Sequence, residues 1–246
     1  KIDVFVPKNI DSPPPMLLFI HGGGWRGGKK EDYIFYNVHF AQLGYATASV
    51  QYRLAPKHNF PKAIQDVNCA IAWLRENGPK YGFDGNRMVL LGGSAGGHLS
   101  LLAGYNQDES LACPEHAESV KQRVQAIVNL YGVVDCTTEI AINAYQVKDF
   151  MGKPYDEAKE LYVSASPLFH LDKDDPPTLT FHGTIDELVP ISQADRLHEK
   201  LEELGIPNYY DRVEGWPHSM DLAQPINDRC RYVTEKFLAK YLPLNE

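Results

Sequence analysis

Short apolar runs alternate with longer segments of helical spacing along most of the chain. Seven runs are typical of β-strands, and several are continuously apolar, as expected for strands that are covered on both faces of a parallel sheet. They are residues 2–6, 16–20, 46–50, 87–91, 124–130, 178–182 and 208–213. Five segments between them show helical spacing: 32–43, 61–77, 95–105, 190–204 and 226–241. The pattern predicts an α/β fold with a mostly parallel, doubly wound sheet and helices on both faces.

One segment differs from this alternation. Residues 135–165 lie between two predicted strands, exceed a plain crossover in length and contain several aromatic residues. We expect them to form a small helical insertion over the functional site. Since no internal repeat or low-complexity segment divides the chain, the 246 residues are expected to form a single domain.

Composition narrows the classes of partner. The 32 acidic residues exceed the 24 basic residues, which gives a formal net charge of -8. Nucleic acid and anionic membrane surfaces are therefore not expected as partners. The longest apolar run, residues 16–20, is far shorter than the roughly 20 residues that a membrane-spanning helix needs. The composition leaves the oligomeric state open.

The spacing of the cysteines indicates neither a metal site nor a disulfide scaffold. None of the four cysteines, Cys69, Cys113, Cys136 and Cys230, has a metal-ligand spacing such as C-x-x-C. Four cysteines in this length are also not typical of a disulfide scaffold, so we expect buried free thiols and no metal site.

The sequence opens on a strand pattern without an initiator methionine or a signal-peptide profile. We therefore expect the natural N-terminus to be missing, which leaves the compartment, cytoplasmic or secreted, open.

A serine between glycines follows the predicted strand 87–91. In "LGGSAGGHL", Ser94 stands in a G-x-S-x-G pattern between that strand and the predicted helix 95–105. This context is typical of a nucleophile elbow, a sharp strand-to-helix turn that exposes the serine hydroxyl. Gly92 and Gly96 would supply the room for the close approach of strand and helix. The alternative is a serine that only caps the helix.

A second glycine cluster, "HGGGWRGG", follows the predicted strand 16–20. Backbone N–H groups of such a loop, together with the N–H after the serine, can bind the negative oxygen of a tetrahedral intermediate. We predict that Gly23, Gly24 and Ala95 form this oxyanion hole. A phosphate-binding loop or a flexible turn is the alternative, although the G-x-G-x-x-G and Walker patterns are both missing here.

A nucleophilic serine needs a histidine base and a carboxylate that orients the base, in the chain order Ser, Asp, His where such an elbow occurs. Asp186 follows the predicted strand 178–182, and His218 follows the predicted strand 208–213. Both lie in loops at the carboxyl edge of the sheet, where ligands bind in open α/β sheets. We predict Ser94, Asp186 and His218 as the catalytic triad. The alternatives are His98, His182 and His198 as the base and Asp135 and Asp221 as the acid.

These motifs, with "ASVQYRLAP", "FPKAIQDVNCAIAWLREN" and "EGWPHSM", resemble the α/β-hydrolase superfamily. Within it the chain looks like the bacterial feruloyl-esterase-like carboxylesterases, which are related to the hormone-sensitive-lipase group. The resemblance covers nearly the whole chain. One departure is Gly93, which precedes Ser94 where the hormone-sensitive-lipase group usually has Asp. The resemblance implies ester hydrolysis by a serine nucleophile without a metal or cofactor.

The expected activity is therefore that of a serine carboxylesterase that hydrolyses short-chain or aryl esters through an acyl-enzyme. The expected partner is a small-molecule or carbohydrate-linked ester, such as an acetyl or feruloyl ester of a plant polysaccharide. A serine amidase, peptidase or arylformamidase on the same fold is one alternative, and a catalytically inactive binding protein is another. The aromatic residues that we expect to wall the substrate pocket, with core packing as the alternative for each, are Trp25, Tyr131, Trp216, Tyr145 and Phe150.

Overall fold

A seven-stranded sheet organises the described part of the chain, which is residues 1–8 and 12–244 of the computed structural model. In chain order the strands are β1 Ile2–Phe5, β2 Pro15–Ile20, β3 Ala46–Val50, β4 Asp84–Gly93, β5 Ala126–Leu130, β6 Thr178–Gly183 and β7 Asn208–Val213. Their order in space is β1-β3-β2-β4-β5-β6-β7. β1 pairs antiparallel with β3, and the other neighbours pair in parallel. The mostly parallel sheet predicted from the sequence is confirmed.

Helices connect the strands and cover both faces of the sheet. They are α1 Ile34–Gln42, α2 Lys62–Tyr81, α3 Ala95–Tyr105, α4 Glu139–Asn143, α5 Tyr145–Met151, α6 Lys159–Ser164, α7 Ser192–Glu203 and α8 Gln224–Tyr241. Short 3-10 turns lie at Lys30–Tyr33, Glu109–Leu111, Ala117–Lys121, Tyr155–Glu157, Pro167–Phe169 and Met220–Leu222. The five predicted helices correspond to α1, α2, α3, α7 and α8. The predicted insertion, residues 135–165, is helical and contains α4, α5 and α6.

The end of α2 differs from the prediction. The helical spacing predicts an end at residue 77, whereas the helix continues through Gly78 and Pro79 to Tyr81. Proline fits there because its fixed φ is compatible with a helix and only one hydrogen bond near the end is lost. The helix ends where Gly82 takes the left-handed conformation, with φ 83°, which glycine adopts readily.

The sheet separates two hydrophobic clusters, one on each face. Met16, Leu18 and Ile20 of β2 belong to one cluster, whereas Leu17 and Phe19 belong to the other. The first cluster includes apolar residues of α2, α3 and α7, and the second includes those of α1 and α8. Because both faces are covered, β2 is apolar at successive positions instead of alternating with polar residues. The arrangement leaves the carboxyl ends of the parallel strands, and the loops that follow them, to carry the functional residues.

The prediction of four free thiols is wrong for two of the cysteines. Cys69 of α2 and Cys113, which follows the turn Glu109–Leu111, form a disulfide with their Cα atoms 4.6 Å apart. The two residues are separated by 44 positions, and only the packing of α2 beside the segment that follows α3 brings them together. Cys136 and Cys230 are buried and free, as predicted. In the described residues, no helix has both the length and the apolar character needed to cross a membrane.

Candidate active site

Ser94 occupies the tight turn between β4 and α3. Its backbone has φ 55° and ψ -122°, a combination that costs conformational energy for a residue with a Cβ and that is found mainly at functional sites. The Ser94 N–H donates to the Leu130 carbonyl at 2.8 Å, which ties the turn to the neighbouring strand. A Cβ on Gly96 would overlap the Ile20 carbonyl oxygen. The predicted need for glycine at this position is therefore a need for close backbone packing.

His218 connects Ser94 to Asp186. Its Nε2 lies 3.0 Å from Ser94 Oγ, and its Nδ1 lies 2.7 Å from Asp186 Oδ2. When Nδ1–H donates to the carboxylate, Nε2 is left to accept the Ser94 hydroxyl proton. The structure thus brings together the three residues predicted from the sequence, which come from three separate loops. The arrangement suits a serine nucleophile with a histidine base.

The Asp186 side chain is buried and held by its own loop. Its Oδ1 accepts hydrogen bonds from the N–H groups of Leu188 at 2.9 Å and Val189 at 2.8 Å. His182 Nε2 lies 3.4 Å from Oδ2. Burial raises the pKa of this carboxyl, but hydrogen bonds from His182, from His218 and from the Val189 N–H outweigh burial and hold the pKa below its ordinary value. Asp186 is therefore a carboxylate at neutral pH.

A backbone contact joins the loop of the acid to the loop of the base. A Cβ on Gly183, at the end of β6, would overlap the Trp216 carbonyl oxygen. The same carbonyl accepts a hydrogen bond from the Ile185 N–H at 3.2 Å. Because the two loops touch through their main chains, the separation of Asp186 and His218 is fixed by backbone as well as by their mutual hydrogen bond.

The glycine loop after β2 lies beside the serine. A Cβ on Gly22 would lie 3.4 Å from Ser94 Cβ, and Gly23 and Gly24 have positive φ angles of 101° and 59°. Within residues 1–8 and 12–244, the N–H groups of Gly23, Gly24 and Ala95 make no loop or turn hydrogen bond to a backbone carbonyl. Their placement fits the oxyanion hole expected from the sequence, and that role stays a prediction.

The insertion packs directly on this loop. Arg26 Nε forms an ion pair with Asp149 of α5 at 2.7 Å. The Trp25 ring stacks on the Phe150 ring with centroids 4.5 Å apart. The Gln146 side chain also lies against the loop, since its Cγ would be 3.1 Å from a Cβ on Gly24. The insertion therefore supports the predicted oxyanion donors from one side.

His98 links three parts of the site. It lies on α3, one turn after the serine, and its Nδ1 accepts a hydrogen bond from Trp25 Nε1 at 3.1 Å. Its Nε2 donates to the Ala165 carbonyl at 2.7 Å. Burial lowers the pKa of His98 to about 4, so the ring is neutral near pH 7. The sequence offers His98 only as an alternative base, whereas in the structure it joins the nucleophile helix, the glycine loop and the insertion.

The remaining residues that the sequence offers as an alternative base or acid form hydrogen bonds or ion pairs outside the triad. His198 Nδ1 pairs with Asn208 Oδ1 at 2.8 Å. Asp135 is buried and forms an ion pair with Arg196 of α7. Asp221 is buried and accepts a hydrogen bond from the Tyr131 hydroxyl. Unlike Asp186, neither of these two carboxylates pairs with an imidazole nitrogen of His218.

The predicted pocket aromatics differ in how much surface they keep. Trp25 is 2% exposed and Phe150 is 0% exposed, so both pack in the core beside the glycine loop. Tyr131 is also buried, with its ring centroid 4.7 Å from that of His218. Trp216 is half-buried and Tyr145 is 60% exposed, so both keep solvent-accessible surface. The prediction that they wall the pocket stays a prediction.

Steric contacts in the structure explain why position 93 is a glycine. A Cβ at this position would lie 2.8 Å from the Tyr33 hydroxyl and 3.0 Å from the Tyr131 hydroxyl. The two hydroxyls occupy the space that the Asp of the hormone-sensitive-lipase motif would need. The sequence does not identify Tyr33 as part of the site, although the departure at Gly93 is consistent with a bulky neighbour here.

The chain is similar in sequence to several known proteins. The BD-FAE family model, which describes feruloyl-esterase-like proteins, matches residues 2–201. Esterase LipC of Mycobacterium tuberculosis is 34% identical over 230 residues, which covers 90% of this chain and 57% of LipC. The probable carboxylic ester hydrolase LipM of the same organism is also 34% identical over 230 residues, covering 90% of this chain and 53% of LipM. The chain spans about half the length of the curated relatives it matches.

Solved structures with the same fold include two esterases. Thermogutta terrifontis esterase 2, phosphonylated by cyclosarin, superposes with a TM-score of 0.86 and 22% identity, covering 100% of this chain and 90% of that chain. A truncated carbohydrate esterase from gut microbiota superposes with a TM-score of 0.80 and 24% identity, covering 96% of this chain and 90% of that chain. At these identities the likeness shows a shared fold.

Proposed function

The chain belongs to the BD-FAE family of feruloyl-esterase-like proteins, and we propose that it is a serine carboxylesterase. The observation that carries the proposal is His218, which stands between the Ser94 hydroxyl at 3.0 Å and the Asp186 carboxylate at 2.7 Å. This chain of contacts is what activates a serine for attack on a carbonyl carbon. The esterase names of its relatives support the same activity.

In the proposed reaction Ser94 Oγ attacks the ester carbonyl while its proton passes to His218 Nε2. Asp186 holds the imidazole with its proton on Nδ1 and stabilises the imidazolium. The N–H groups of Gly23, Gly24 and Ala95 bind the oxyanion, each at a value of roughly 3 kcal/mol in the transition state. His218 then gives its proton to the departing alcohol, which leaves an acyl-enzyme. A water molecule hydrolyses this intermediate by the same steps in reverse order.

The substrate class follows from the surface around the triad. Ile185 and Leu188 on either side of Asp186 are 56% and 52% exposed, and Leu222, shortly after His218, is 85% exposed. Exposed apolar side chains beside a catalytic site favour an ester with an apolar acyl or aryl part. We therefore propose short-chain or aryl carboxylic esters as substrates. Acetyl or feruloyl esters of plant polysaccharides fit this class, and one structural neighbour is a carbohydrate esterase.

A substrate panel tests the proposal. The values of kcat/KM are measured for p-nitrophenyl acetate and methyl ferulate, and compared with those for N-formylkynurenine and a peptide anilide. We expect the esters to be hydrolysed faster by at least about tenfold, a difference of roughly 1.4 kcal/mol in the barrier. The Ser94→Ala substitution should lower kcat by several orders of magnitude. Ser192→Ala, at an exposed serine of α7, should leave kcat unchanged.

Two outcomes would contradict the proposal. Faster hydrolysis of the formamide or the anilide than of either ester would make the protein an amidase. Ester turnover by Ser94→Ala within tenfold of the parent protein would remove Ser94 as the nucleophile. Circular dichroism of each variant verifies that the fold is retained.

A further inference from the structure

Backbone strain in this protein is concentrated at the active site. Four described residues other than glycine have positive φ angles, namely Trp25 at 58°, Ser94 at 55°, Tyr131 at 42° and Ser219 at 58°. The strain at Ser94 belongs to the elbow, and the strain at Trp25 belongs to the loop of the oxyanion donors. Tyr131 and Ser219 have no part in the reaction as described above. Such conformations persist only where the surrounding structure holds them, and they cluster where function requires them.

The strained Tyr131 connects His218 to a second buried carboxylate. It follows β5, and its N–H donates to the Phe181 carbonyl at 2.8 Å. Its ring meets the His218 ring edge-on, with an interplanar angle of 65°. Its hydroxyl donates to Asp221 Oδ1. One tyrosine therefore contacts the base through its ring and the carboxylate through its hydroxyl.

Ser219 explains how Asp221 reaches this position. It follows His218 directly, and its left-handed conformation turns the chain into the 3-10 turn Met220–Leu222, which contains Asp221. The carboxylate thus lies three residues after the base and is only 7% exposed. Both of the unexplained strained residues serve the same arrangement of His218, Tyr131 and Asp221.

The surroundings of Asp221 contain one group that becomes cationic during the proposed reaction. The titratable groups around it in the described residues are Tyr33, Tyr36, Tyr131, His218 and Cys230. In that order they come from the 3-10 turn Lys30–Tyr33, α1, the end of β5, the loop of the base and α8. Burial raises the pKa of each of the three tyrosines and of the thiol well above its ordinary value, so these groups are neutral. Burial also holds the pKa of Asp221 above its ordinary value, and the hydrogen bond from the Tyr131 hydroxyl and the positive charge of His218 offset burial only in part. The protonated imidazole is therefore the cation that a carboxylate here stabilises.

We propose that Tyr131 and Asp221 are positioning residues for His218, and that Asp221 supplies a second buried negative charge that stabilises the imidazolium. The inference rests on the proposed function. The proton still moves from Ser94 Oγ to His218 Nε2 and then to the leaving alcohol, and Asp221 takes no proton. Asp186 orients the ring through Nδ1, the Tyr131 ring packs against its edge, and Asp221 acts through the charge that appears on it.

The variant Asp221→Asn isolates the charge. Asparagine has nearly the same shape and still offers an oxygen to the Tyr131 hydroxyl. Without the negative charge the imidazolium is less stable, so His218 loses its proton more readily. We expect the acid limb of the kcat/KM profile with p-nitrophenyl acetate to move about one pH unit lower, at the small end of what a nearby opposite charge does. The maximal kcat should fall about tenfold, which is the same stabilisation lost from the transition state.

Matched variants separate this role from general packing. Asp135→Asn removes another buried carboxylate, one that pairs with Arg196, and should leave the acid limb unmoved whatever it costs in stability. Tyr131→Phe keeps the ring and removes the hydroxyl that lowers the pKa of Asp221, so it should move the acid limb in the same direction by less. If Asp221→Asn does not fold, Tyr131→Phe decides the question.

The outcomes are distinguishable from failure of the proposed function. If the parent protein lacks esterase activity or Ser94→Ala retains it, the proposed function is wrong. If the esterase is active but the acid limbs of the folded Asp221→Asn and Tyr131→Phe variants coincide with the parent profile, only this inference is overturned. A shift of equal size in Asp135→Asn would likewise overturn it, because the effect would then come from any buried carboxylate.

Discussion

Acidification should weaken the fold through His98. The ring is fully buried, and it accepts a hydrogen bond from Trp25 while donating one to the Ala165 carbonyl. A proton on Nδ1 would face the indole N–H, so protonation removes one hydrogen bond and places a charge in the core. Burial lowers the pKa of His98 from 6.5 to about 4 in the folded protein.

The size of the effect follows from linkage between protonation and folding. Between pH 6.5 and pH 4 the unfolded chain binds a proton at His98 and the folded chain does not, so the free energy of unfolding falls as the pH falls. With the two pKa values of 6.5 and about 4, the loss is about 2 kcal/mol at pH 5 and about 3 kcal/mol at pH 4. Stability from this residue is fully present above about pH 6.5 and is lost progressively below it.

Urea unfolding of the parent protein and His98→Gln at pH 7 and pH 5 measures the effect. Glutamine does not titrate and offers both an acceptor and a donor. We expect the destabilisation caused by His98→Gln to be about 2 kcal/mol smaller at pH 5 than at pH 7. His116→Gln, at an exposed histidine, is the matched control and should show no such change. A destabilisation by His98→Gln that is equal at the two pH values would show that protonation of His98 does not weaken the fold.

Two further predictions concern the disulfide and the acyl pocket. Replacing Cys69 and Cys113 together by alanine should lower the free energy of unfolding by up to about 4 kcal/mol, from the chain entropy of a loop of 44 residues; unchanged urea midpoints in non-reducing buffer would contradict this. The value of kcat/KM for p-nitrophenyl esters should peak between about two and four acyl carbons and decline by about eight, as the gain of about 0.8 kcal/mol per buried methylene runs out. A maximum at about twelve carbons or more, or a jump in rate above the solubility of the substrate, would instead indicate a lipase.

The features that could be predicted from the sequence are local or depend on the order of elements. The run 16–20 predicts a buried strand because every one of its residues is apolar, and β2 is buried throughout. The triad could be predicted because strand ends in a parallel sheet lie at one edge. Ser94, Asp186 and His218 each follow a strand, and the structure brings their side chains into hydrogen-bonding distance.

The features that were missed depend on contacts between distant segments. The disulfide between Cys69 and Cys113 joins α2 to the segment after α3, and no cysteine spacing motif in the sequence predicts it. The Trp25 ring stacks on Phe150 of the insertion, a contact between distant segments that no local pattern indicates. The sequence offers Asp221 only as an alternative acid for the triad. Its hydrogen bond from the Tyr131 hydroxyl, and the contact of the Tyr131 ring with His218, depend on packing between distant segments. Such pairings are set by side-chain packing, which periodicity does not encode.

Covalent labelling shows directly whether Ser94 is the nucleophile. The protein is incubated with a fluorophosphonate, digested, and analysed by mass spectrometry to find the labelled peptide. We expect one label per chain on Ser94, no labelling of Ser94→Ala, and labelling slowed by several orders of magnitude in His218→Gln, which lacks the base. A label on another residue of the parent protein, or labelling of Ser94→Ala at the parent rate, would show that Ser94 is not the nucleophile.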